Sequence, residues 1–432
     1  MNNIKIWVAF LLLGGNLAVL AQIQHVPVGT QSLPVDAEVG LTLVQRFQRY
    51  NANPRVAADR FDITVNSPKS VNILDEKNKF YVHSLEGNST SVYSLSDFRL
   101  LKSVAHVFDQ KNQYLFKESD YFDYKFRTRT NKLNFFSGKP VESCFSHSGK
   151  YLWVTYYRRS YDRNAIDPSA LCIIDTDADT IVRVMPTAPL PKMIAASPDS
   201  KTVAVTHWGD NTVALIDVSS NKPADFHYIK NVEIDRRLTN NFEQDKIVDR
   251  DNNCGNCLRG TVFTPDNKLL LIGKMGSNAV AVVDVATQKY IASVTGMKNN
   301  LRHLILTDSC IYLSINKTGY IQKANLQDFL SHIAENPKKP YNKWTSVYVG
   351  EGARTIVADP SGRYIFAAVN NKSYVAVART SDMKVIANCA ADSYPVGMDI
   401  SADGKTLIVT AQGKSNGGGN SVMVYNINYK KM

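Results

Sequence analysis

The sequence predicts an all-β protein, a seven-bladed β-propeller of four-stranded antiparallel blades. Three observations predict it. First, the stretch SPDSKTVAVTHWGDNTVALID from Ser197 to Asp217 returns 67 positions later, from Thr264 to Asp284, as TPDNKLLLIGKMGSNAVAVVD. Each copy places a Pro-Asp turn and a lysine before an apolar strand, then a short polar loop, then a strand ending in aspartate, which is a β-hairpin written twice. Second, the same hairpin can be laid down seven times from Pro68 onward. Third, each copy has a strand before its turn, such as Met193 to Ala196, and another after its second strand, such as Lys289 to Val294. Four antiparallel strands in a repeat of roughly 40 residues make a propeller blade. Seven blades close a ring and leave no long exposed edge, whereas stacking the hairpins as a solenoid is the rival arrangement.

The elements follow in order. Residues 1–21 carry Lys5, an apolar run from Ile6 to Leu13, and Ala18 and Ala21 at the −3 and −1 positions. They read as a signal peptide cleaved after Ala21, with an apolar run short for a membrane span. The expected location is secreted or periplasmic, with no transmembrane segment after cleavage. Residues 22–66 form an N-terminal extension outside the repeat. In it Val39, Leu43 and Phe47 recur every fourth residue and predict a short amphipathic helix over 36–50. The propeller occupies 67–432. Its hairpins start at Lys77-Asn78-Lys79, Ser148-Gly149-Lys150, the two quoted copies, Thr307-Asp308-Ser309, Pro360-Ser361-Gly362-Arg363 and Ala402-Asp403-Gly404-Lys405. The first and fifth are degenerate. Long insertions interrupt the pattern at 108–139, 156–169 and 221–258.

These residues resemble the YVTN-repeat propellers, relatives in shape of the WD40 and quinoprotein amine dehydrogenase propellers, and in particular an exported bacterial member. The naming tetrapeptide stands as Trp153-Val154-Thr155-Tyr156, Ala204-Val205-Thr206-His207 and Ile408-Val409-Thr410-Ala411. The Asn-Thr-Val that follows stands as Asn211-Thr212-Val213, with Asn278-Ala279-Val280 and Asn420-Ser421-Val422 beside it. The resemblance covers about 68–428 and implies architecture; propellers carry many unrelated functions.

With 432 residues of which 44% are hydrophobic, the chain can bury one large all-β core or two ordinary ones. The formal charge is +11, and removing the leader's single lysine leaves +10. That surplus favours anionic partners such as phosphate, acidic glycan, nucleic acid or a membrane surface. Six cysteines in a chain this long do not make a disulfide scaffold.

A blade's first strand is innermost, so the connector into it opens on the central channel. Aligned on the turn, that position holds Lys69, Val141, Lys192, Arg259, Arg302, Arg354 and Val396, five of the seven cationic, with Glu142 the one acid at the next position. Neighbouring charges some 10 Å apart repel by roughly 0.4 to 1.7 kcal/mol per pair. Such a ring calls for a negative group: either an anionic ligand held by the arginine forks, or carboxylates brought in by the long loops. Connections from second to third strand and from fourth to next first strand emerge on the same side, and all three insertions fall there.

The first insertion mixes Tyr114, Phe116, Tyr121, Phe122, Tyr124, Phe126, Phe135 and Phe136 with Lys125, Arg127, Arg129 and Lys132; the second contains Tyr157, Arg158, Arg159, Tyr161 and Arg163. Such mixtures stack sugars or bases, or pack a loop onto the blades. Cys254-Gly255-Asn256-Cys257 on this face reads first as a local disulfide, with a redox pair or half a metal site as alternatives. Cys144, Cys172, Cys310 and Cys389 read as buried thiols. His207 and Trp208 follow a second strand, and His303 follows Arg302; a histidine here serves as a base or as a hydrogen-bonded structural residue. Lys414 to Asn420 is glycine-rich but lacks the helix of a phosphate loop.

The function these residues predict is a secreted, monomeric binding module, without cofactor or metal, for an anionic or carbohydrate ligand or a partner protein. Its ligand-binding candidates are Lys69, Glu142, Arg158, Arg159, Lys192, His207, Trp208, Arg259, Arg302, His303 and Arg354. The alternative is a lactonase-like hydrolase or a lyase acting on an acidic sugar, and nucleic-acid binding by the basic face is a third possibility.

Overall fold

Alternating apolar residues bounded by tight turns fold into seven antiparallel sheets arranged as a ring. The structure is a computed structural model that describes residues 24–117, 134–238, 248–413 and 418–430. The expected leader, most of the first insertion's aromatic and basic residues (121–132), and Lys414 to Gly417 lie outside the described residues.

The innermost strands of the seven blades are Pro68–Leu74, Phe136–Ser146, Pro191–Ala196, Leu258–Phe263, Leu301–Leu306, Ala353–Ala358 and Pro395–Ile400. Each pairs antiparallel with the strand after the Pro-Asp-type turn, as Val205 in Thr202–His207 pairs with Ile194. Apolar side chains between adjacent sheets form the core, such as Leu271, Val282, Leu304 and Leu313 between blades four and five. A short helix, α1 (Leu326–Glu335), capped by the Asn325 side chain, joins the third and fourth strands of blade five and buries Phe329 and Ile333.

The N-terminal residues depart from expectation. Residues 36–50 do not form a helix: Val39–Gln48 is a ten-residue strand hydrogen-bonded along Ser421–Tyr429, and it supplies the fourth strand of blade seven, with the short strand Asp59–Phe61 paired in parallel outside it. The reason is visible in the pattern. Residues recurring every fourth position satisfy a strand's period of two as well as a helix's 3.6. Leu41, buried at 1% exposure between Val39 and Leu43, belongs only to the former. Pairing the N-terminal strand with the last one closes the ring, so neither is left as an unpaired edge.

Candidate functional site

Every innermost strand contains a register shift at its start. In blade one, Pro68 pairs with Ser84 and Val71 with Val82, so Lys69 and Ser70 oppose a single residue. The same extra residues in the other blades are Val141 and Glu142, Lys192, Arg259 and Gly260, Arg302, Arg354 and Thr355, and Val396. A β-bulge bends its strand and re-aims a side chain. The column read from the turn alignment is therefore a ring of seven bulges, with no slip in the degenerate blades.

Hydroxyl side chains fix these bulges by donating to their carbonyls. Ser70 donates to Val141 O at 2.8 Å, Thr155 to Glu142 O at 3.1 Å, Thr261 to Arg259 O at 2.6 Å and Thr355 to Val396 O at 2.6 Å. Ser314 donates to Arg354 O, and Thr410 to Lys69 O. Satisfying the carbonyls internally keeps each bulge in one conformation. Glycine is needed where inner strands crowd at the axis: a Cβ on Gly260 would collide with the Leu304 amide, and one on Gly397 with the Lys69 carbonyl.

Lys69, Lys192, Arg259, Arg302 and Arg354 all line one cavity of about 520 Å³, together with Glu142, Arg158 and Trp208. Its remaining wall is Leu85, Glu86, Val141, Tyr157, Asp251, Met275, Tyr394 and Gln412. Beneath it lies a chamber of about 260 Å³ lined by residues from the innermost strands of all seven blades, including His303 and Asp399. Glu142, Arg259, Arg302 and Arg354 line both spaces and so stand between them.

Loop carboxylates answer only part of the charge. Lys192 Nζ donates to Asp251 Oδ1 at 2.9 Å and lies 4.0 Å from the centre of the Tyr157 ring and 5.1 Å from that of Trp208. Burial, with Arg259 and Arg302 nearby, brings its amine down to about 7 against the pull of Asp251. Lys69 Nζ donates to Gln412 Oε1 at 2.7 Å, and burial among Arg354, Lys192, Arg259 and Arg302 lowers its amine well below the ordinary value. Arg354 lies 5.9 Å from the centre of the Tyr394 ring and Arg259 5.8 Å from that of Trp208. Among the described residues no carboxylate forms an ion pair with Arg259, Arg302 or Arg354. The Nε atoms of Arg259 and Arg302 are buried without a hydrogen-bond partner among the described residues. Burial and Arg354 bring Arg259 down to about 10, while burial and its arginine neighbours lower Arg302. Burial raises the Glu142 carboxyl above its usual range, with Arg259, Arg354, Lys69 and Arg302 pulling it back. Unmatched buried donors of one sign around a void are what a carboxylate or phosphate group would satisfy.

The structure does not bring every candidate together. His207 is fully buried within blade three, its ring between Thr187 Oγ1 at 2.6 Å and Thr212 Oγ1 at 3.0 Å, away from the cavity. Burial lowers it to about 3. Arg159 is also buried, over the Phe136 ring at 4.8 Å, and holds the second insertion rather than lining the cavity. His303 lines the inner chamber, accepts from the Ile356 amide at Nδ1 (3.4 Å), and is brought down to about 4 by burial and the three arginines. Phe108, Phe116 and Phe136, at the described ends of the first insertion, pack ring against ring with one another and with Tyr156. Cys254 and Cys257 are joined as a disulfide, Cys172, Cys310 and Cys389 are buried, and Cys144 is half-buried.

Asp251, Met275, Tyr394 and Gln412 line the cavity without having been singled out from the sequence, and Tyr157 was noted there only as one aromatic of the second insertion, not as a ligand-binding candidate. A signal existed for three of them. The residue after the one paired to the bulge's first partner is Leu85, Tyr157, Trp208, Met275 and Gln412 in blades one, two, three, four and seven, a second column of the same repeat. Asp251 comes from an insertion and has no counterpart in the repeat.

No family model matches the chain, and no curated protein matches its sequence. Solved structures share the architecture. A chain of Kuenenia stuttgartiensis hydrazine synthase is similar with a TM-score of 0.58 at 13% identity, covering 87% of this chain and all of that one. The Cps50 (Swd1) β-propeller domain of Myceliophteria thermophila is similar with a TM-score of 0.58 at 10% identity, covering 84% of this chain and 98% of that domain. At such identities the likeness is one of fold, a seven-bladed propeller. Among the described residues no helix is long and apolar enough to cross a membrane.

Proposed function

We propose that this chain is an exported propeller of the YVTN-repeat kind that binds an anionic ligand in the cavity on its insertion-bearing face. One observation carries the reading: five basic bulge residues from five blades line a single void in which three guanidinium groups have no carboxylate partner among the described residues. A protein gains nothing by gathering like charges into a half-buried pit unless a counter-charge arrives from outside. The aromatic walls of Tyr157, Trp208 and Tyr394 add flat surfaces that suit a sugar ring or an unsaturated acid. The histidines lend no support to a hydrolase or lyase, since His207 faces away from the cavity and His303 Nδ1 already accepts a backbone amide.

The test is titration calorimetry and thermal shift of the mature chain against sugar acids, phosphates and acidic cell-wall fragments, beside the double variant Arg259→Ala, Arg302→Ala. Stabilisation of the parent by at least one of these, lost in the variant, is the expected result. Binding that survives both substitutions removes the reading.

A further inference from the structure

We infer that the ligand is a small molecule bearing two or more oxyanion groups, inserted so that they meet Arg259, Arg302 and Arg354 at the floor of the cavity. This rests on the anion reading above and adds charge number, size and orientation to it.

The charge number follows from the partners already present. Of the cavity's carboxylates, Glu86 accepts from Lys139 at 2.5 Å and Asp251 is engaged by Lys192. Arg158, at the wall, donates to the Arg163 carbonyl. What remains in the outer cavity is Lys69 with three arginines facing Glu142, while Asp399 in the inner chamber already accepts from the Ile73 and Ile400 amides. Counting only the three guanidinium groups that stand between the two spaces, which stay charged in proteins, three positive charges meet the one negative charge of Glu142, a surplus of two. A monoanion leaves a guanidinium unmatched in a desolvated site; a dianion or trianion does not.

Size and orientation follow from where the arginines stand. They line both the outer cavity of about 520 Å³ and the inner chamber of about 260 Å³, so they sit at the passage between the two rather than at the rim. A polymer lying across the face meets Arg158 and the aromatic wall first. A compact acid that enters end-on reaches the passage. Carboxylate and phosphate heads both match a guanidinium fork, and the experiment separates them.

Calorimetry at fixed ionic strength and pH 7 compares butyrate, succinate and tricarballylate, then phosphate and pyrophosphate, then heparin. The expected result is at least about tenfold tighter binding for each added carboxylate, the increment of one charge-assisted hydrogen bond, with pyrophosphate above phosphate in the same sense. Whichever series is tighter identifies the head group. In Glu142→Gln the surplus rises by one, so succinate should bind about tenfold more tightly than it does to the parent. A flat series, with butyrate as tight as tricarballylate, overturns the inference while leaving an anion site in place. Heparin binding without any small acid overturns it in favour of a polymer on the rim. No binding of any probe removes the anion site itself.

Discussion

Replacing Arg302 with methionine keeps most of the side chain's bulk and removes its charge, and the surroundings predict a protein that becomes more stable as it loses its ligand. Arg302 is lowered by burial and by repulsion from Arg354 and Arg259, with Glu142 among the groups opposing this. At a spacing of about 10 Å and an effective dielectric of about 20, each interaction is worth roughly 1.7 kcal/mol. Two repulsions against one attraction leave a net gain of about 1.7 kcal/mol on neutralisation. Removing the buried Nε that lacks a partner acts in the same direction. The Met275 sulfur, 4.0 Å from Nη1, is a weak contact to lose. For a chain of this length the gain corresponds to a rise of about 2 °C in Tm. Differential scanning calorimetry in low-salt buffer free of multivalent anions is the assay, repeated with tricarballylate. The parent should melt lower without the acid and rise with it; Arg302→Met should melt higher at the outset and not respond. A variant that melts below the parent in acid-free buffer would show that the guanidinium already has a stabilising partner, and the argument for an outside anion would fail.

Three further outcomes are expected. Lys192 at about 7 in the fold against about 10.4 in the unfolded chain means that the unfolded state binds more protons between those values, so its contribution to stability rises with pH across that window. Urea unfolding should show a gain of roughly 1–2 kcal/mol from pH 7.5 to 9 that is absent in Lys192→Met, while affinity for tricarballylate falls as the amine loses its charge. Thr410→Val removes the hydroxyl that donates to the Lys69 carbonyl and accepts from the Gly397 amide at 3.0 Å. It should cost about 1–2 kcal/mol by denaturant titration and weaken anion binding, although Thr410 is fully buried and does not line the cavity. Arg46, in the closing strand, donates to Asp59 at 2.6 Å and to the buried Asp392 at 3.2 Å. Arg46→Ala leaves Asp392 without its guanidinium and should cost about 3–5 kcal/mol in the same titration, with the parent's ligand preference retained.

The blades were legible because a hairpin repeated around a ring writes the same local rules seven times. The Pro-Asp turn, the lysine and the alternating strand identify each unit even where one copy is degenerate. The basic column was legible for the same reason, since the bulge falls at a constant offset from the turn in every blade. Val39 to Gln48 was misread because four-residue spacing is common to both periods, and only pairing with Ser421–Tyr429 selects the strand. His207 and Trp208 are adjacent in sequence, yet the first faces the interior of its blade and the second the cavity. Successive strand residues point to opposite sides, and proximity in the chain says nothing of which side holds the ligand.

By itself the amino-acid order determines a ring of seven hairpin-built blades, and it lines up cations that are as much as 285 positions apart, from Lys69 to Arg354. Turn chemistry and strand alternation are local, so they survive without knowledge of the whole. Tertiary structure alone decides that Asp251 takes Lys192 while Arg259, Arg302 and Arg354 receive no such partner among the described residues. It also decides that the passage between two chambers is where those three stand. Neutralisation depends on distances of a few ångströms between groups from different blades and insertions, and no periodicity along the chain encodes these.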